Sequence, residues 1–345
     1  MDKCENTSMK YILSIDQGTT SSRAIIFDEN QKIISESQKE YQLQYPKDGW
    51  VEAKPEEILE SVKETIEKAL EASAVDIAAC GITNQRETVV VWDRSSGKPV
   101  YPAIIWQDRR TSDLCNELKK KENLENEIRK KTGLLLDPYF SASKIKWILD
   151  NVENARKKAE NGELCFGTIE TYLIWNLTEE KNHKTDATNA SRTMLMNLET
   201  LDWDDSLLEI FNIPKSILPE ICSCDDNFGS IDVSDQKFPI TGVIGDQQSA
   251  LFGQNCVEFG EMKSTYGTGC FLMVNTKEKI YKSKARLLST VACMLGNKVS
   301  YALEGSIFSA GTSIQWLRDE MKFFDDSSES EDLIDDKFDS KGVNF

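Results

Sequence analysis

The sequence predicts an α/β protein with two related domains around a cleft. Strand-like and helix-like segments alternate up to Gly253, which is typical of the α/β class. Segments 11–27 and 262–274 share one pattern, in which an apolar strand, a turn of glycine and threonine and a second apolar strand follow one another. Because the pattern occurs once in each half, we expect related domains at 10–253 and 254–345. A chain of 345 residues is long enough for two cores.

Composition excludes several classes of function. The formal charge of −17 argues against binding nucleic acid through a broad basic face. No apolar run reaches the roughly 18 residues that a transmembrane helix needs, and the first residues contain no apolar signal region. Nine cysteines without a CxxC pair fit a reducing compartment. We therefore expect a cytoplasmic protein.

The cysteines and the single histidine limit the chemistry. Cys80 and Cys165 lie in apolar runs and are predicted to be buried, whereas Cys222 and Cys224 are predicted to be surface thiols. His183 lies in a polar segment and is predicted to be solvated. One histidine excludes a multi-histidine metal centre, so the acids and bases of an enzyme would be carboxylates.

The first hairpin combines a carboxylate with a turn rich in donors. An apolar strand at 11–15 ends in Asp16, and a second apolar strand follows at 24–27. The turn between them carries four hydroxyl groups, those of Thr19, Thr20, Ser21 and Ser22. Such a turn can surround phosphate oxygens while the acid holds a hydrated Mg²⁺. The alternative is an ordinary polar hairpin turn.

The second hairpin has a Gly-Thr-Gly turn centred on Thr268. Two such turns that face each other across a cleft would suit a nucleoside triphosphate. The pattern GxxxxGK[ST] is absent from the chain, so a P-loop of the strand–loop–helix kind is not predicted.

Elements between the hairpins place polar residues at strand ends. Pro55 opens a helix whose apolar positions recur every four residues, at Ile58, Val62, Ile66 and Leu70. Strands are predicted at 77–82 and 89–92, with a polar cluster between them. Ligands of α/β sheets bind at such strand ends. Segments 113–131 and 145–152 are predicted as helical, and 168–177 as a strand or short helix.

Within the polar cluster, Arg86 and Glu87 are adjacent. Arginine donates hydrogen bonds and glutamate accepts them, so the pair could satisfy the hydroxyls of a polyol in both directions. The alternative is a surface ion pair.

Asp246 directly follows the apolar segment 239–245. An aspartate there can take the proton from an attacking hydroxyl, as the base does in kinases. The alternative is an N-cap for the helix that follows.

Aromatic residues flank the polar clusters. Trp106 and Phe271 could enclose a carbon skeleton, or could belong to the core. Tyr139 could donate its hydroxyl to a substrate. The segment 305–320 is predicted as a helix on which Gly311 and Gln315 share a face, for close approach of a ligand or for helix packing.

Together these motifs resemble the FGGY carbohydrate kinases, and within them the branch that phosphorylates glycerol. The resemblance implies the ribonuclease H-like fold of sugar kinases, Hsp70 and actin, in which two related domains close on ATP. Seven segments carry it in the order typical of the family: 14–25, 81–89, 105–112, 137–145, 245–255, 264–272 and 308–321.

The resemblance implies ATP-dependent phosphorylation of glycerol to sn-glycerol 3-phosphate, with Asp246 as the base. Implied glycerol-binding residues are Arg86, Glu87, Trp106, Tyr139, Asp246, Gln247 and Phe271. Implied ATP and ADP contacts are Thr19, Thr20, Ser21, Arg23, Thr268, Gly311 and Gln315. Mg²⁺ would be held by Asp16 and Asp246, and the intact form would be a homo-oligomer, either a dimer or a tetramer.

The chain departs from the family pattern in two ways. Members of the family are longer, so we expect the second domain, 254–345, to be incomplete and the activity of this form to be low. Segment 229–242 lacks the Gly/Arg-rich loop that binds fructose 1,6-bisphosphate in some relatives. Two alternatives stay open: a family member acting on another polyol or a pentulose, and a protein that binds ATP or a polyol without catalysis.

Overall fold

The computed structural model describes residues 10–179, 181–267, 269–333 and 342. The end of the predicted second domain, 334–341 and 343–345, thus lies outside the described residues. The strands are β1 Tyr11–Gln17, β2 Ser21–Phe27, β3 Ile33–Glu40, β4 Glu52–Ala53, β5 Ile77–Asn84, β6 Val90–Asp93, β7 Ala103–Ile104, β8 Leu164–Gly167, β9 Lys184–Asp186, β10 Met196–Asn197, β11 Asp202–Trp203, β12 Glu220–Cys222, β13 Ser230–Val233, β14 Gln236–Gly245, β15 Met262–Tyr266, β16 Cys270–Lys277, β17 Leu288–Leu295 and β18 Lys298–Ile307.

The α-helices are α1 Pro55–Ser73, α2 Ser112–Lys119, α3 Leu124–Thr132, α4 Ser141–Asn151, α5 Ala155–Glu160, α6 Ile169–Leu177, α7 Ala187–Ala190, α8 Asp205–Phe211, α9 Asp246–Gly253 and α10 Gly311–Asp319. Short 3₁₀ turns occur at Lys215–Ile217 and Ser327–Ser330. Among the described residues, none of these helices has both the length and the apolar character needed to span a bilayer.

The first domain is built on a six-stranded sheet with the order β13-β14-β5-β1-β2-β3. Strands β14, β5 and β1 run parallel, and β2 and β3 continue from β1 in antiparallel fashion. Gln17 pairs with Asn84, and Asn84 pairs with Gly245. Because parallel strands end at the same edge, the segments that follow these three residues meet there.

Helix α1 covers one face of this sheet as the periodicity predicts. Proline at its start lacks the N–H that would be unpaired there, and its apolar stripe packs against β2 and β3. The four predicted stripe residues are at most 4% exposed, namely Ile58, Val62, Ile66 and Leu70. The stripe is therefore confirmed as part of the core.

The second domain contributes an antiparallel sheet of order β15-β16-β18-β17. The hairpin of β17 and β18 packs on the first domain, where Ser191 Oγ lies 2.8 Å from Thr290 Oγ1. Tyr301 donates its hydroxyl to the carbonyl of Leu198 over 2.9 Å. These contacts bring β18 next to the edge at which the parallel strands of the first sheet end.

Two element predictions are corrected or decided by the structure. Segment 305–320 was expected to be a helix throughout, but β18 continues to Ile307 and α10 begins at Gly311. Gly305 pairs with Leu272 of β16, and this cross-strand pairing decides the conformation. For 168–177 the structure shows a helix, α6, directly after β8.

The surface predictions for one histidine and two cysteines were wrong. His183 Nε2 lies 2.7 Å from the carbonyl oxygen of Phe166, and its ring packs edge-on to Trp92 and Trp175. Burial lowers the pKa of His183 to about 4. Cys222 and Cys224 are only 4% and 5% exposed, and β17 covers the latter. Burial of Cys80 and Cys165 is confirmed.

Candidate active site

A cavity of about 140 Å³ lies between the two sheets, at the edge where the parallel strands end. Its lining combines the two predicted turns with the predicted polar and aromatic residues. The lining residues are Thr19, Arg86, Glu87, Trp106, Tyr139, Asp246, Gln247, Thr265, Gly267, Gly269 and Phe271. The structure thus brings together all seven residues that the resemblance assigned to the polyol, and one threonine of the first turn.

Aromatic side chains form the apolar wall of the cavity. The ring centroid of Trp106 lies 5.8 Å from that of Tyr139 and 6.1 Å from that of Phe271, and both pairs meet edge to face. Phe308 adds a fourth ring, 4.8 Å from Tyr139. Trp106, Tyr139 and Phe271 are buried in the core and also line the cavity, whereas Phe308 is exposed and lies outside the lining. Both interpretations of Trp106 and Phe271 therefore hold.

Arg86 lies at the centre of the polar side and is only 2% exposed. A Cβ on Gly245 would come within 2.9 Å of Arg86 Cγ and Cδ, so the glycine makes room for the arginine. The Nε atom of Arg86 lies 3.2 Å from Asp246 Oδ1. With Glu87 at 1% exposed, the alternative of a surface ion pair for Arg86 and Glu87 is wrong.

Two further buried ions, Arg192 and Glu304, complete this group, and sequence reasoning missed both. Arg86 donates from Nη1 to Glu304 Oε2 over 2.6 Å and from Nη2 to Glu304 Oε1 over 3.1 Å. Arg192 donates from Nε to Glu87 Oε1 over 2.5 Å and from Nη2 to Glu304 Oε1 over 2.9 Å. Its Nη1 has no hydrogen-bond partner among the residues that the structure describes, but the guanidinium lies over the rings of Tyr139 and Phe140.

Alternating charges set the electrostatics of this group. Burial alone would raise the pKa of Glu304, but the positive charges of Arg192 and Arg86 outweigh it and lower the pKa to about 2. Burial raises the pKa of Glu87, with both arginines opposing that shift. Glu87 also has a φ of 64°, a left-handed conformation that is strained for a glutamate. Such strain persists where the surroundings enforce one geometry.

Asp246 is the first residue of α9, and Gly245 occupies the N-cap, so the N-cap alternative is wrong. Its Oδ1 accepts the backbone N–H of Gln247 over 2.6 Å. The side chain is 35% exposed and opens to the cavity. Enclosure by the surrounding protein raises the pKa of Asp246, while the charge of Arg86 opposes the shift. A carboxylate with a raised pKa is suited to accept a proton.

Lys263 of β15 is a second residue beside the cavity that the sequence did not single out. Its Nζ donates to Gln247 Oε1 and, over 2.8 Å, to Thr265 Oγ1. Burial lowers the pKa of Lys263 to about 8. Both of its partners, Gln247 and Thr265, line the cavity. Lys263 therefore fixes the amide orientation of Gln247, since an ammonium group can only donate.

The first turn is held from below by a buried hydrogen-bond network. The hydroxyl of Tyr41 lies 2.6 Å from the carbonyl oxygens of both Gly18 and Thr19. Gln17 and Gln85 donate from Nε2 to the same hydroxyl over 3.0 and 2.9 Å. The turn is thus preorganised, with its outward donors left for a ligand.

The remaining nucleotide predictions fall outside the cavity lining. Ser21 Oγ accepts from Gln38 Nε2, Arg23 donates to Gln38 Oε1 over 2.7 Å, and Thr20 is exposed. The backbone N–H of Gly311 donates to Gly267 over 2.9 Å, which anchors α10 at the second turn, and Gln315 is exposed. Thr268 lies outside the described residues.

The two predicted metal ligands, Asp16 and Asp246, are both carboxylates. Among the described residues, no cluster of three or more His, Cys, Asp or Glu could hold a metal by itself. Mg²⁺ in phosphoryl-transfer sites is usually bound through one or two carboxylates together with substrate phosphates and water. Asp246 lines the cavity, and Asp16 is the last residue but one of β1, just before the first turn. The side chain of Asp16 is accessible to solvent, although enclosure raises its pKa. Two hard oxygen donors at these positions fit that kind of site.

Comparison with known families gives two matches that together cover most of the chain. Residues 11–253 match the N-terminal domain of the FGGY family of carbohydrate kinases, and residues 262–342 match its C-terminal domain. The chain is 55% identical over 341 residues to the glycerol kinase of Fusobacterium nucleatum, covering 97% of this chain and 69% of that protein. The glycerol kinase of Alteromonas mediterranea is 56% identical over 339 residues, with the same coverage.

Solved structures give the same result. The glycerol kinase of Plasmodium falciparum, crystallised with ADP, superposes with a TM-score of 0.88 at 43% identity and covers 94% of this chain. The match spans 66% of the Plasmodium chain. A gluconate kinase from Lactobacillus acidophilus has a TM-score of 0.80 at 24% identity, which shows the shared fold alone.

Proposed function

Because the chain belongs to the FGGY family of carbohydrate kinases and, within it, to the glycerol kinases, we propose that its cavity binds glycerol and transfers to it the γ-phosphoryl group of ATP. The observation that carries this proposal is the shared cavity: Asp246, the Arg86–Glu87 pair and both turns line one space. The products are ADP and sn-glycerol 3-phosphate.

The size and chemistry of the cavity support a small triol. At about 140 Å³ it is well below the roughly 300–1,000 Å³ of pockets for drug-sized ligands. Arg86 donates and Glu87 accepts hydrogen bonds, so hydroxyl groups find both kinds of partner. Trp106 and Phe271 cover the carbon chain. A larger sugar would need more space than these rings leave.

Asp246 acts as the general base. Its carboxylate accepts the proton of a terminal hydroxyl while that oxygen attacks the γ-phosphorus and the bond to the ADP oxygen breaks. The contact with Arg86 Nε at 3.2 Å keeps the carboxylate oriented towards the cavity. Orientation matters because in-line attack needs the hydroxyl oxygen close to phosphorus and correctly aligned.

The two turns stabilise charge on the transferred group. Thr19 and the backbone at Gly267 and Gly269 line the cavity on its nucleotide side. Their donors are fixed before the reaction, so little reorganisation is needed when charge develops. Asp16 and Asp246 would hold Mg²⁺, which supplies neutralisation of phosphate charge when it is bound. The packed domains limit the access of water, which would otherwise accept the phosphoryl group.

Transfer of ³²P from [γ-³²P]ATP to glycerol tests the proposal directly. We expect transfer by the wild-type protein and a loss of about 10²–10⁴-fold in Asp246→Asn, since the amide cannot accept the proton. Asp232→Asn, an exposed aspartate on β13 of the same sheet, is the matched control. Equal turnover by the wild type and Asp246→Asn would refute the assignment of the base.

A panel of polyols compared by kcat/KM separates glycerol from pentuloses and other sugars. Binding of ATP and glycerol in calorimetry without formation of ADP would instead favour a binding protein. The small cavity leads us to expect the highest kcat/KM for glycerol.

A further inference from the structure

Glu304 is a carboxylate of the second domain that is completely buried between two arginines of the first. It lies on β18, 218 positions from Arg86 and 112 from Arg192 along the chain. Both of its oxygens accept hydrogen bonds from Arg86, at 2.6 and 3.1 Å, and Oε1 also accepts from Arg192 at 2.9 Å. Ser306 adds a fourth donor at 3.0 Å.

A buried carboxylate needs such partners, because removing a charge from water is unfavourable unless it is paired and hydrogen-bonded. Glu304 does not line the 140 Å³ cavity, so it does not reach a substrate bound there. Its effect on that cavity must therefore pass through the arginines.

The contacts of Arg86 show how this works. Its two terminal nitrogens are bound to Glu304, which fixes the rotation of the planar guanidinium. The remaining Nε then lies 3.2 Å from Asp246. In the same way Arg192 binds Glu304 through Nη2 and Glu87 through Nε. One carboxylate on β18 thus orients both arginines towards the two acids that line the cavity.

We propose that Glu304 is a positioning residue, through which the second domain fixes Arg86 and Arg192 so that the polyol site is complete only when the two domains are packed together. The inference rests on the proposed function of the cavity.

Two variants separate position from charge. Glu304→Gln removes the charge, whereas Glu304→Asp keeps it but shortens the side chain, so that it reaches the two arginines less well. We expect glycerol affinity in calorimetry, and kcat/KM for glycerol, to fall at least about tenfold in both variants. The loss should appear in KM for glycerol, while KM for ATP stays within about twofold of the wild-type value. A general loss of stability would not affect the two substrates differently.

Glu258→Gln is the matched control, since it removes an exposed second-domain carboxylate paired with Lys277. It should bind glycerol like the wild type. Wild-type affinity for glycerol in Glu304→Gln would overturn the inference. If Glu304→Gln does not fold, Glu304→Asp decides, and its wild-type affinity would overturn the inference equally.

Failure of the proposed function looks different. In that case the wild-type protein itself neither binds glycerol nor transfers phosphate to it, and both proposals fall together. A wild type that binds and reacts, with Glu304 variants indistinguishable from it, refutes only the role of Glu304.

Discussion

The indole N–H of Trp106 donates a hydrogen bond to Thr19 Oγ1 over 2.9 Å. It joins the aromatic wall, where we propose that the polyol binds, to the first turn, where we propose that the phosphates bind. Since the hydroxyl of Thr19 is thereby oriented, the two halves of the site are linked by one neutral hydrogen bond. Such a bond contributes about 1 kcal/mol net.

Trp106→Phe should test this link, because it keeps an aromatic ring and removes the donor. We expect kcat/KM for ATP to fall about fivefold, the equivalent of about 1 kcal/mol. Thr19→Val removes the same hydrogen bond from the other side. In a double-mutant cycle the two effects should not add, and full additivity would show that the bond has no energetic role.

The pH dependence of catalysis should reflect the raised pKa of Asp246. The base acts as a carboxylate, so the rate falls as the pH drops through its pKa. We expect the acid limb of kcat/KM for glycerol to lie above 3.8, the ordinary value for an aspartate. Initial rates measured from acidic to neutral pH, at saturating ATP, give the limb. A limb at or below the ordinary value would contradict the enclosure of this carboxylate.

Gly245→Ala should damage the site although it replaces no ionisable residue. The new Cβ would approach Arg86 Cγ and Cδ to 2.9 Å, so the arginine must move away from Asp246. We expect a loss of about 1–3 kcal/mol in unfolding free energy and a glycerol KM raised about tenfold or more.

Gly253→Ala at the other end of α9 is the control for this substitution. A Cβ there meets no atom within 4 Å. Its stability should stay within about 0.5 kcal/mol of the wild type, as for surface substitutions generally, and its KM should not change. Similar KM values for the two alanine variants would show that the close approach of Arg86 to Gly245 is not important for glycerol binding.

Glu170 should make stability depend on pH. It is fully buried, and burial raises its pKa from 4.5 to about 7, although the hydroxyls of Thr168, Thr185 and Thr171 oppose the shift. The folded state therefore holds a proton that the unfolded state has lost between these values. Stability contributed by this group is present below pH 4.5 and is lost as the pH rises through 7.

Glu170→Gln should remove this dependence. Relative to the variant, the wild type is expected to lose on the order of 3 kcal/mol of unfolding free energy between pH 4 and pH 8. Urea unfolding at several pH values measures it, with the exposed Glu153→Gln as control. Parallel curves for the wild type and Glu170→Gln would contradict the assignment. Because Glu170 accepts from Asn84 Nδ2 over 2.9 Å, the same experiment probes support of the strand end before Arg86.

Much of the site could be predicted from local sequence patterns. Asp246 directly follows one strand, the Arg86–Glu87 pair lies in the polar cluster just after another, and parallel strands must end at a common edge. The stripe on α1 was equally readable, since its period matches the helix. These signals lie within a few residues of each other, so one sequence suffices to find them.

The long-range ion pairs could not be predicted from local sequence patterns. Glu304 and Arg192 lie in segments that look like ordinary amphipathic structure, and their partners are 105 to 218 positions away. His183 misled for a related reason. Its neighbours are polar, but its ring turns inward to two tryptophans that the local sequence does not reveal.

Strands β1, β5 and β14 run parallel and lie side by side, so three adjacent strand ends contribute to the site. In the proposed function, the segment after β1 would bind the phosphates, the one after β5 would bind the polyol, and the one after β14 would supply the base. Each segment is anchored by its own strand, but Arg86 after β5 also contacts Asp246, and Gln85 supports the first turn through Tyr41. A protein engineer who wished to change the accepted alcohol would therefore keep Gln85 and Arg86 and edit the other residues that line the cavity on the polyol side.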